Sequence, residues 1–386
     1  MRPVRVGLDG RAFGNINRFR GIGRYTARLV ESLVQAESDF HFVLFGYGPG
    51  PDSDQLDPGI AQETEWREIP RSRNLSYLTL LGDHILFART VKAAGVDIFH
   101  AIDHNMTPFL DCPSIITVHD LIPLVLRGPY LGPTSWLWME AHRRAARKAA
   151  AVVAVSENTR RDVEIIWSIP PGRIVVVPEG VSDIYRPVGD EAVIEDTAAR
   201  YGVRRPYFLY LGGFDPRKNI HNMMLSFKRF LLRLGGGRQL VLCGDRGVFD
   251  SYLSDEIEEL GLNGSVVLTG FVGEEDLPAL YSGAVGFICI SLYEGFGLPL
   301  LESMACGTPV LASRAASIPE VIDDAGLLVN PLDPADITAG MEQLADNRGL
   351  REELIAKGLR RSSSFTWEKA AGHILMLYHK ILEGGG

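Results

Sequence analysis

Two glutamates with seven residues between them, Glu294 and Glu302, lie in the glycine-rich stretch EGFGLPLLE. The apolar run GFICIS (286–291) just before them predicts a short buried strand. The glycines that follow Glu294 allow a tight backbone path with exposed N–H groups. Pro299 suits the first position of a helix. The stretch therefore predicts a strand, a loop and a helix N-terminus, with Glu302 in the first turn of the helix.

A helix N-terminus in this position attracts anions, because its N–H donors and the positive end of the helix dipole point the same way. Glu302 would fit there simply by complementing the dipole, which is the structural alternative. Glu294 needs another explanation, since a carboxylate beside an anion site is unfavourable unless it binds hydroxyls or pairs with a cation. A ligand with both phosphates and sugar hydroxyls explains the two glutamates, and a nucleotide sugar is such a ligand.

Two cations precede another predicted helix. Arg217 and Lys218 stand in LGGFDPRKNIHNMMLSFKRF (211–230), just after an apolar run. Cations are electrostatically misplaced at a helix N-terminus unless an anion is bound there. An arginine acts as a fork and a lysine as a point charge, and together they suit a diphosphate. The alternative is a pair of solvated charges.

The first half of the chain also has candidate ligand-binding residues in two places. Gly21 and Gly23 in RFRGIGRYTARLVESL (18–33) begin an amphipathic helix, where they let backbone N–H groups approach a phosphate or a sugar; a plain glycine-rich loop is the alternative. Thr26 replaces the third glycine of a dinucleotide fingerprint, which argues against a nicotinamide enzyme. His119 ends the run ITVHDL and suits hydroxyl binding or charge stabilisation, against the alternative of a structural histidine.

The elements that position these residues form two series of short apolar strands alternating with helical stretches. Short Val, Ile and Leu runs between helices are typical of parallel sheets covered on both faces, so the sequence predicts two doubly wound α/β domains. In such sheets ligands bind beyond the carboxyl ends of the strands. The predicted strands are 4–9, 41–46, 97–101, 114–120, 151–156 and 174–180, then 207–213, 239–245, 265–271, 286–291, 309–313 and 326–331.

The composition bounds the class of protein. The chain has 386 residues, 46% hydrophobic and 23% charged, which suits two globular domains. A net charge of −9 argues against general nucleic-acid binding, so no nucleic-acid partner is expected. The four cysteines are far apart, as in a reducing compartment, and neither a signal peptide nor a membrane-spanning run is visible. These features predict a cytoplasmic protein.

The motifs together resemble the retaining glycosyltransferases of the GT-B fold, in the large family 4 (group 1), and are most similar to those of bacterial mannosyltransferases. The resemblance covers nearly the whole chain and rests on motifs that occur in the same order. They are GIGRYT, VHD, AVSENTRRD (154–162), DPRKN (215–219), TGFV (269–272), EGFGLPLLE (294–302) and ACGTPVLAS (305–313).

The resemblance implies two Rossmann-like domains that face each other across a cleft. Residues 1–185 would bind the acceptor, residues 186–205 would form a linker with one short helix, and residues 206–364 would bind the nucleotide sugar. The amphipathic helix in 365–386 would pack back on the first domain. The stretch 48–62, which is polar, is expected to be a loop.

The resemblance also implies residue roles. Glu302 would hold the ribose and Glu294 the donor sugar, while Arg217 and Lys218 would hold the diphosphate and stabilise the leaving group. Many members carry an arginine where this chain has Gly213, and Arg217 would take over its role. Gly21 and Gly23 would contact the phosphate and the sugar, and His119 would contact the sugar's primary hydroxyl. Phe271 and Val272 would lie beside the base. Backbone groups of Phe296, Gly297 and Leu298 would contact the sugar and the diphosphate.

The implied reaction is transfer of a hexose from a nucleotide sugar with retention of configuration, without metal or other cofactor. GDP-mannose is the favoured donor, and a glycan or lipid-linked glycan is the expected acceptor. The only D-x-D, Asp52 to Asp54, lies in a polar stretch and is expected at the surface. The alternatives are a UDP-glucose-type donor in the same family, a GT-B sugar-nucleotide epimerase, and a degenerate GT-B protein that only binds.

A basic amphipathic stretch suits peripheral contact with the inner face of a membrane. Residues 121–150 contain Leu124, Leu126, Trp136 and Trp138, all expected to be exposed, followed by Arg143, Arg144, Arg147 and Lys148. Such a surface would bind anionic lipids and would suit a lipid-linked acceptor. The alternative is a helix packed on its own sheet with a solvated basic face.

Overall fold

A computed structural model describes residues 2–14, 21–36, 39–70, 77–126, 133–245 and 247–384. The chain folds as two compact units. The first comprises Met1–Gly180 together with Thr366–Gly386, and the second comprises Val181–Phe365. The first unit is therefore built from two separate stretches of the chain.

The first unit is built on a parallel sheet in the order β3-β2-β1-β4-β5-β6-β7. Most of its strands are buried on both faces, which is why their sequences are nearly continuous apolar runs. The order reverses between β1 and β4. The strands are β1 Val4–Asp9, β2 Phe40–Gly46, β3 Glu65–Glu68, β4 Ile98–Ala101, β5 Ser114–Val118, β6 Ala151–Ala154 and β7 Ile174–Val176.

The second unit has the same architecture, with a parallel sheet in the order β10-β9-β8-β11-β12-β13. Here the order reverses between β8 and β11, whose pairing sets Phe208 opposite Gly286 and Leu209 opposite Phe287. The strands are β8 Tyr207–Leu211, β9 Gln239–Cys243, β10 Val266–Gly270, β11 Gly286–Cys289, β12 Val310–Ser313 and β13 Gly326–Val329.

Helices connect the strands. Those of the first unit are α1 Gly21–Gln35, α2 Pro58–Glu63, α3 Tyr77–Ala93, α4 Ile122–Val125, α5 Pro133–Lys148, α6 Glu157–Ile166 and α15 Trp367–Glu383. Those of the second are α7 Glu191–Arg200, α8 Ile220–Leu234, α9 Asp250–Glu259, α10 Leu277–Gly283, α11 Leu298–Ala305, α12 Ile318–Ile322, α13 Pro334–Asp346 and α14 Arg348–Ser362.

Each unit has its own apolar core. In the first, Phe45, Phe87 and Phe99 pack as an aromatic cluster with ring centroids 5.4–6.4 Å apart. In the second, Phe227 stacks on Phe230 with centroids 5.9 Å apart. Burying one such side chain stabilises the folded state by roughly 1.5–3 kcal/mol relative to leaving it exposed. These clusters therefore stabilise the two sheets, and the polar site residues follow the carboxyl ends of their strands.

Helix α15 packs within the first unit through a buried polar chain. The hydroxyl of Tyr378 lies 2.7 Å from Nδ1 of His100, and Nε2 of the same ring lies 2.8 Å from Oγ1 of Thr117. Burial, and then the charge of nearby His119, lower the pKa of His100 to about 3, so this ring is neutral. The helix is thereby tied to β4 and β5.

Two local features differ from the expectations. Strand β3 was not predicted, because EWRE is polar; it lies at the sheet edge, where Arg5 pairs with Glu65 at 2.6 Å. The stretch 48–62, expected to be a loop, contains the start of α2, which Asp57 caps through Gly59 N and Ile60 N. Residues 186–205, expected to be a linker with one short helix, contain α7, of which Ile194 and Ala198 are buried.

Candidate active site

The carboxyl ends of β8 and β11 meet where the strand order of the second sheet reverses. This is the position at which parallel α/β sheets leave a crevice for ligands. Arg217 and Lys218 follow β8 in a short 3-10 turn, and Glu294 follows β11. The backbone N–H of Leu292 donates to the carbonyl oxygen of Arg217 at 2.7 Å, which ties the two loops together. The structure thus brings these three predicted residues into direct contact.

Glu294 forms a buried ion pair with both cations. Its Oε1 lies 2.6 Å from Nζ of Lys218 and its Oε2 lies 2.7 Å from Nη1 of Arg217. A second carboxylate joins the cluster, because Nε of Arg217 lies 3.1 Å from Oδ1 of Asp215. Burial alone would raise the pKa of Glu294, but Lys218 and Arg217 outweigh it and lower that pKa to about 2. The carboxylate is therefore charged at any physiological pH.

Two polar residues absent from the sequence prediction hold the loops of this cluster. Ser317 Oγ lies 2.9 Å from the carbonyl oxygen of Glu294 and 3.0 Å from that of Phe296. Asn219 Nδ2 donates to the carbonyl oxygens of Pro331 at 2.7 Å and Ile290 at 3.2 Å. Ser317 and Asn219 are both buried. They satisfy loop carbonyls that burial would otherwise leave without donors.

The glycine-rich loop ends at the N-terminus of α11, as predicted. Gly297 is the N-cap, with φ of +111°, a conformation that favours glycine. A Cβ there would also lie 2.9 Å from Cδ1 of Leu300. The helix begins at Leu298, one residue earlier than expected, so Pro299 takes the second helical position and Glu302 falls in the second turn. The predicted first-turn position of Glu302 is wrong.

That shift weakens the structural alternative for Glu302, because the dipole effect falls off beyond the first turn. The Glu302 side chain is 2% exposed, and its Oε2 accepts a hydrogen bond of 3.0 Å from the hydroxyl of Tyr281. Tyr281 lies on α10 and its ring packs edge-on against Tyr185, with centroids 6.2 Å apart. Tyr281 fixes the orientation of the carboxylate and was not predicted from the sequence.

The two residues expected beside the base follow the edge strand β10. Phe271 is 63% exposed and Val272 is 5% exposed, so only the aromatic ring offers a large accessible face. Strand β9 separates β10 from β8, so this pair lies two strands away from the strand that precedes Lys218. Gly213, whose role Arg217 was expected to take over, lies after β8.

The first unit carries the other predicted residues. Helix α1 begins at Gly21, which is exposed, and Gly23 is buried within its first turn. Residues 15–20, which include part of the predicted glycine-rich loop, lie outside the described residues. His119 follows β5 and is buried.

Both ring nitrogens of His119 face protein oxygens. Nε2 lies 3.0 Å from the carbonyl oxygen of Ile102, and Nδ1 lies 3.3 Å from Oε1 of Glu179. The ring of Tyr25 packs edge-on against the imidazole, with centroids 4.5 Å apart. Glu179 was not singled out in the sequence, although it follows the apolar run IVVV just as the other site residues follow theirs.

The first sheet also carries polar groups where its own strand order reverses. At the end of β1, Arg11 Nη2 pairs with Asp9 Oδ2 at 2.6 Å, and after β4, His104 Nδ1 lies 2.9 Å from Asp103 Oδ1. Burial opposes charge on His104, but Asp103 outweighs it and raises the pKa of His104 to about 9. Within the residues that the structure describes, no group of three or more His, Cys, Asp or Glu side chains could hold a metal ion.

Comparison with known proteins places this geometry in a family. A model of the glycosyl transferases group 1 matches residues 196–361, and a model of glycosyltransferase family 4 matches residues 19–183. The O-antigen chain mannosyltransferase B of Escherichia coli is 30% identical over 368 residues, which span 93% of this chain and 95% of that relative. The chain belongs to the group 1, family 4 glycosyltransferases.

Solved structures confirm the GT-B fold of this glycosyltransferase. Sucrose-phosphate synthase from Thermosynechococcus elongatus has a TM-score of 0.79 at 20% identity, covering 99% of this chain and 100% of that one. Alr3699/HepE of Anabaena, solved in complex with UDP and glucose, has a TM-score of 0.78 at 16% identity, covering 97% and 99%. The predicted family, fold and enzyme class, a glycosyltransferase of the hexosyltransferase type, are confirmed.

The basic side chains of residues 121–150 of the glycosyltransferase mostly pair with groups of the first unit. Arg143 and Arg144 both pair with Glu140, at 2.7 and 3.1 Å, and Arg147 Nε donates to the carbonyl oxygen of Trp167 at 3.0 Å. Among the apolar residues expected to be exposed, Trp136 is 53% exposed. The other three, Leu124, Leu126 and Trp138, are half-buried. Among the described helices, none is long and apolar enough to span a bilayer.

Proposed function

We propose that this glycosyltransferase transfers mannose from GDP-mannose to a glycan or lipid-linked glycan acceptor, with retention of anomeric configuration and without a metal ion. The observation that carries the proposal is the buried cluster of Glu294 with Arg217 and Lys218 at the strand-order reversal of the second sheet. It combines an acceptor for sugar hydroxyls with two donors for a diphosphate. Mannose is supported by the 30% identity to a mannosyltransferase over most of both chains.

The charges of the cluster suit departure of a nucleoside diphosphate. The bond between the anomeric carbon and the diphosphate oxygen breaks with positive charge left on the sugar and negative charge on the leaving oxygen. The guanidinium of Arg217, the ammonium of Lys218 and the N-terminus of α11 all stabilise that negative charge. Fixed cations therefore supply the stabilisation that a divalent ion would otherwise give.

Glu294 has two functions in this scheme. Its carboxylate holds the cations in place before the donor arrives, and it accepts hydrogen bonds from hydroxyls of the donor sugar. An ammonium group has three N–H donors, so Lys218 can bind Glu294 and phosphate oxygens together. Glu302, held by Tyr281, binds the ribose hydroxyls, and Phe271 lies beside the base. The primary hydroxyl of the sugar contacts His119.

Retention follows if the leaving diphosphate oxygen takes the proton of the acceptor hydroxyl. The acceptor oxygen then attacks the anomeric carbon from the face that the diphosphate leaves. One glycosidic bond breaks and one forms, and the proton ends on the nucleoside diphosphate. No side chain has to form a covalent intermediate.

The first experiment is a thermal-shift panel with GDP, UDP, GDP-mannose and UDP-glucose, each with magnesium and with a chelator. A ligand at 100 times its dissociation constant stabilises the folded state by about 2.7 kcal/mol. We expect the guanine nucleotides to raise the melting temperature equally with and without magnesium. A shift with uridine nucleotides alone would replace the donor with a UDP-glucose type, and a shift only with magnesium would overturn metal independence.

Product analysis separates the remaining alternatives. NMR of the donor after incubation without acceptor would reveal an altered sugar on the intact nucleotide if the protein were an epimerase. Tight donor binding with neither hydrolysis nor transfer to any mannosyl acceptor would indicate a protein that only binds. We expect nucleoside diphosphate release, and an α-linked mannoside as the transfer product.

A further inference from the structure

His119 and Glu179 form a buried pair in the first unit that the chemistry proposed above does not explain. Their side chains are only 10% and 8% exposed, and Nδ1 lies 3.3 Å from Oε1. Each residue follows a strand of the same sheet, His119 after β5 and Glu179 after β7. A buried carboxylate of this kind is costly unless it is paired and hydrogen-bonded.

The second contact of the ring decides which protons it carries. The carbonyl oxygen of Ile102 can only accept, so Nε2, at 3.0 Å from it, carries a proton. One further proton lies between Nδ1 and the Glu179 carboxylate, either on the ring or on Glu179. An imidazole is a stronger base than a carboxylate, so the proton lies on the ring. The pair is therefore an imidazolium and a carboxylate.

The surroundings of the pair keep the ring in this state. The titratable groups that face His119 are Tyr25 on α1, His100 on β4, Asp103 after β4 and Glu179 after β7. Burial opposes charge on the ring, but Glu179, and then Asp103, outweigh it and raise the pKa of His119. Burial, and then the charge of Glu179, raise the pKa of Tyr25, so the tyrosine stays neutral.

The backbone around the pair is held equally firmly. Thr159 Oγ1 donates to the carbonyl oxygen of His119 at 3.1 Å. On the other side, Gly180 follows Glu179, and a Cβ there would lie 2.4 Å from the backbone nitrogen of Trp367. Neither residue can shift far without moving α6 or α15.

We propose that Glu179 is a positioning residue that keeps His119 doubly protonated, so that His119 acts on the donor as a fixed positive charge. The inference rests on the proposed function, in which His119 contacts the donor sugar. A doubly protonated ring accepts no hydrogen bond, so His119 cannot act as a base. Its charge adds to the stabilisation of the departing diphosphate.

The test is Glu179→Gln, which keeps the shape and one hydrogen bond but removes the negative charge. In protein labelled with carbon-13 at histidine, the His119 resonance is assigned by its loss in His119→Gln. We expect the His119 titration midpoint to fall by roughly 1–3 pH units in Glu179→Gln, the effect of losing an adjacent opposite charge. An unchanged midpoint overturns the inference, whether or not the enzyme transfers mannose.

The reaction gives the second readout. In Glu179→Gln we expect kcat to approach that of the wild type near pH 5.5 and to fall at least tenfold below it near pH 8, since His119 is then neutral. Glu31→Gln is the matched control, because Glu31 pairs with Arg28 at 3.0 Å in the same unit. A pH-independent loss in Glu179→Gln would mean a merely structural role. If the wild type bound no donor but the His119 midpoint still fell in Glu179→Gln, only the proposed function would be refuted.

Discussion

Replacing Lys218 by methionine tests the charge cluster most directly. The variant keeps the apolar stem of the side chain and removes the ammonium group that lies 2.6 Å from Glu294. Together with Arg217 and Asp215, the cluster has formal charges that cancel in the wild type. In Lys218→Met the same site carries a net charge of −1, where an anionic diphosphate has to bind and leave.

The expected loss of activity in Lys218→Met follows from Coulomb's law. A unit charge about 4 Å from the ammonium is stabilised by ~4 kcal/mol at an effective dielectric constant of ~20. Only part of a charge develops on the leaving oxygen in the transition state, so about 2–4 kcal/mol is lost. That corresponds to a fall of roughly 30-fold to 10³-fold in kcat, which overlaps the range seen when one charge-stabilising donor is removed.

The assay is release of nucleoside diphosphate from the donor identified in the ligand panel, at several donor concentrations. Lys357→Met is the matched control in the same unit, since Lys357 also pairs with two carboxylates, Glu353 at 2.8 Å and Asp324 at 3.2 Å, but lies on α14. Surface pairs of this kind contribute less than about 1 kcal/mol. Turnover of Lys218→Met within fivefold of wild type, or an equal loss in both variants, would refute the reasoning.

Three further predictions concern binding and stability. Tyr281→Phe removes the hydroxyl that orients Glu302, so KM for the donor should rise about tenfold while kcat stays within a factor of about 2, by initial-rate kinetics. Glu294 has a folded pKa of about 2 against an ordinary 4.5, so its stabilising effect is present above about pH 4.5 and is lost as pH falls toward 2. The difference in urea unfolding free energy between wild type and Glu294→Gln should shrink over that range, and a constant difference would contradict this. Gly180→Ala should lower the melting temperature by destabilising the first unit by about 1–3 kcal/mol, because its Cβ would meet the backbone of Trp367; an unchanged melting temperature would disprove that contact.

The strands were predictable because most of the twelve apolar runs form strands that are buried on both faces of a parallel sheet. Strand β3 was missed because it lies at the edge of the sheet, where its sequence EWRE need not be apolar. Its pairing with β2 cannot be recognised from the residue types. Helix α2 was missed because its cap, Asp57, stands in a stretch whose polarity suggested a loop.

The site was predictable where charge was out of place. Glu294 beside a predicted anion site and Lys218 before a helix each needed a partner, and the structure makes them partners of each other. Tyr281 and Ser317 could not be found in this way, because a buried tyrosine or serine has nothing unusual in its local sequence. Glu179 is intermediate: its position after an apolar run resembles that of His119, but only the fold shows that β5 and β7 bring the two together.

The division of the first unit between Met1–Gly180 and Thr366–Gly386 has a consequence for biosynthesis. The second unit is synthesised entirely within that interval, so it can fold on the ribosome while the first still lacks α15. At 5–20 residues per second the delay is about 10–40 s. Throughout it, the surface that later buries Tyr378 stays uncovered and His100 lacks its hydroxyl partner. The nascent first unit is therefore the stage at which we expect chaperones to bind this chain.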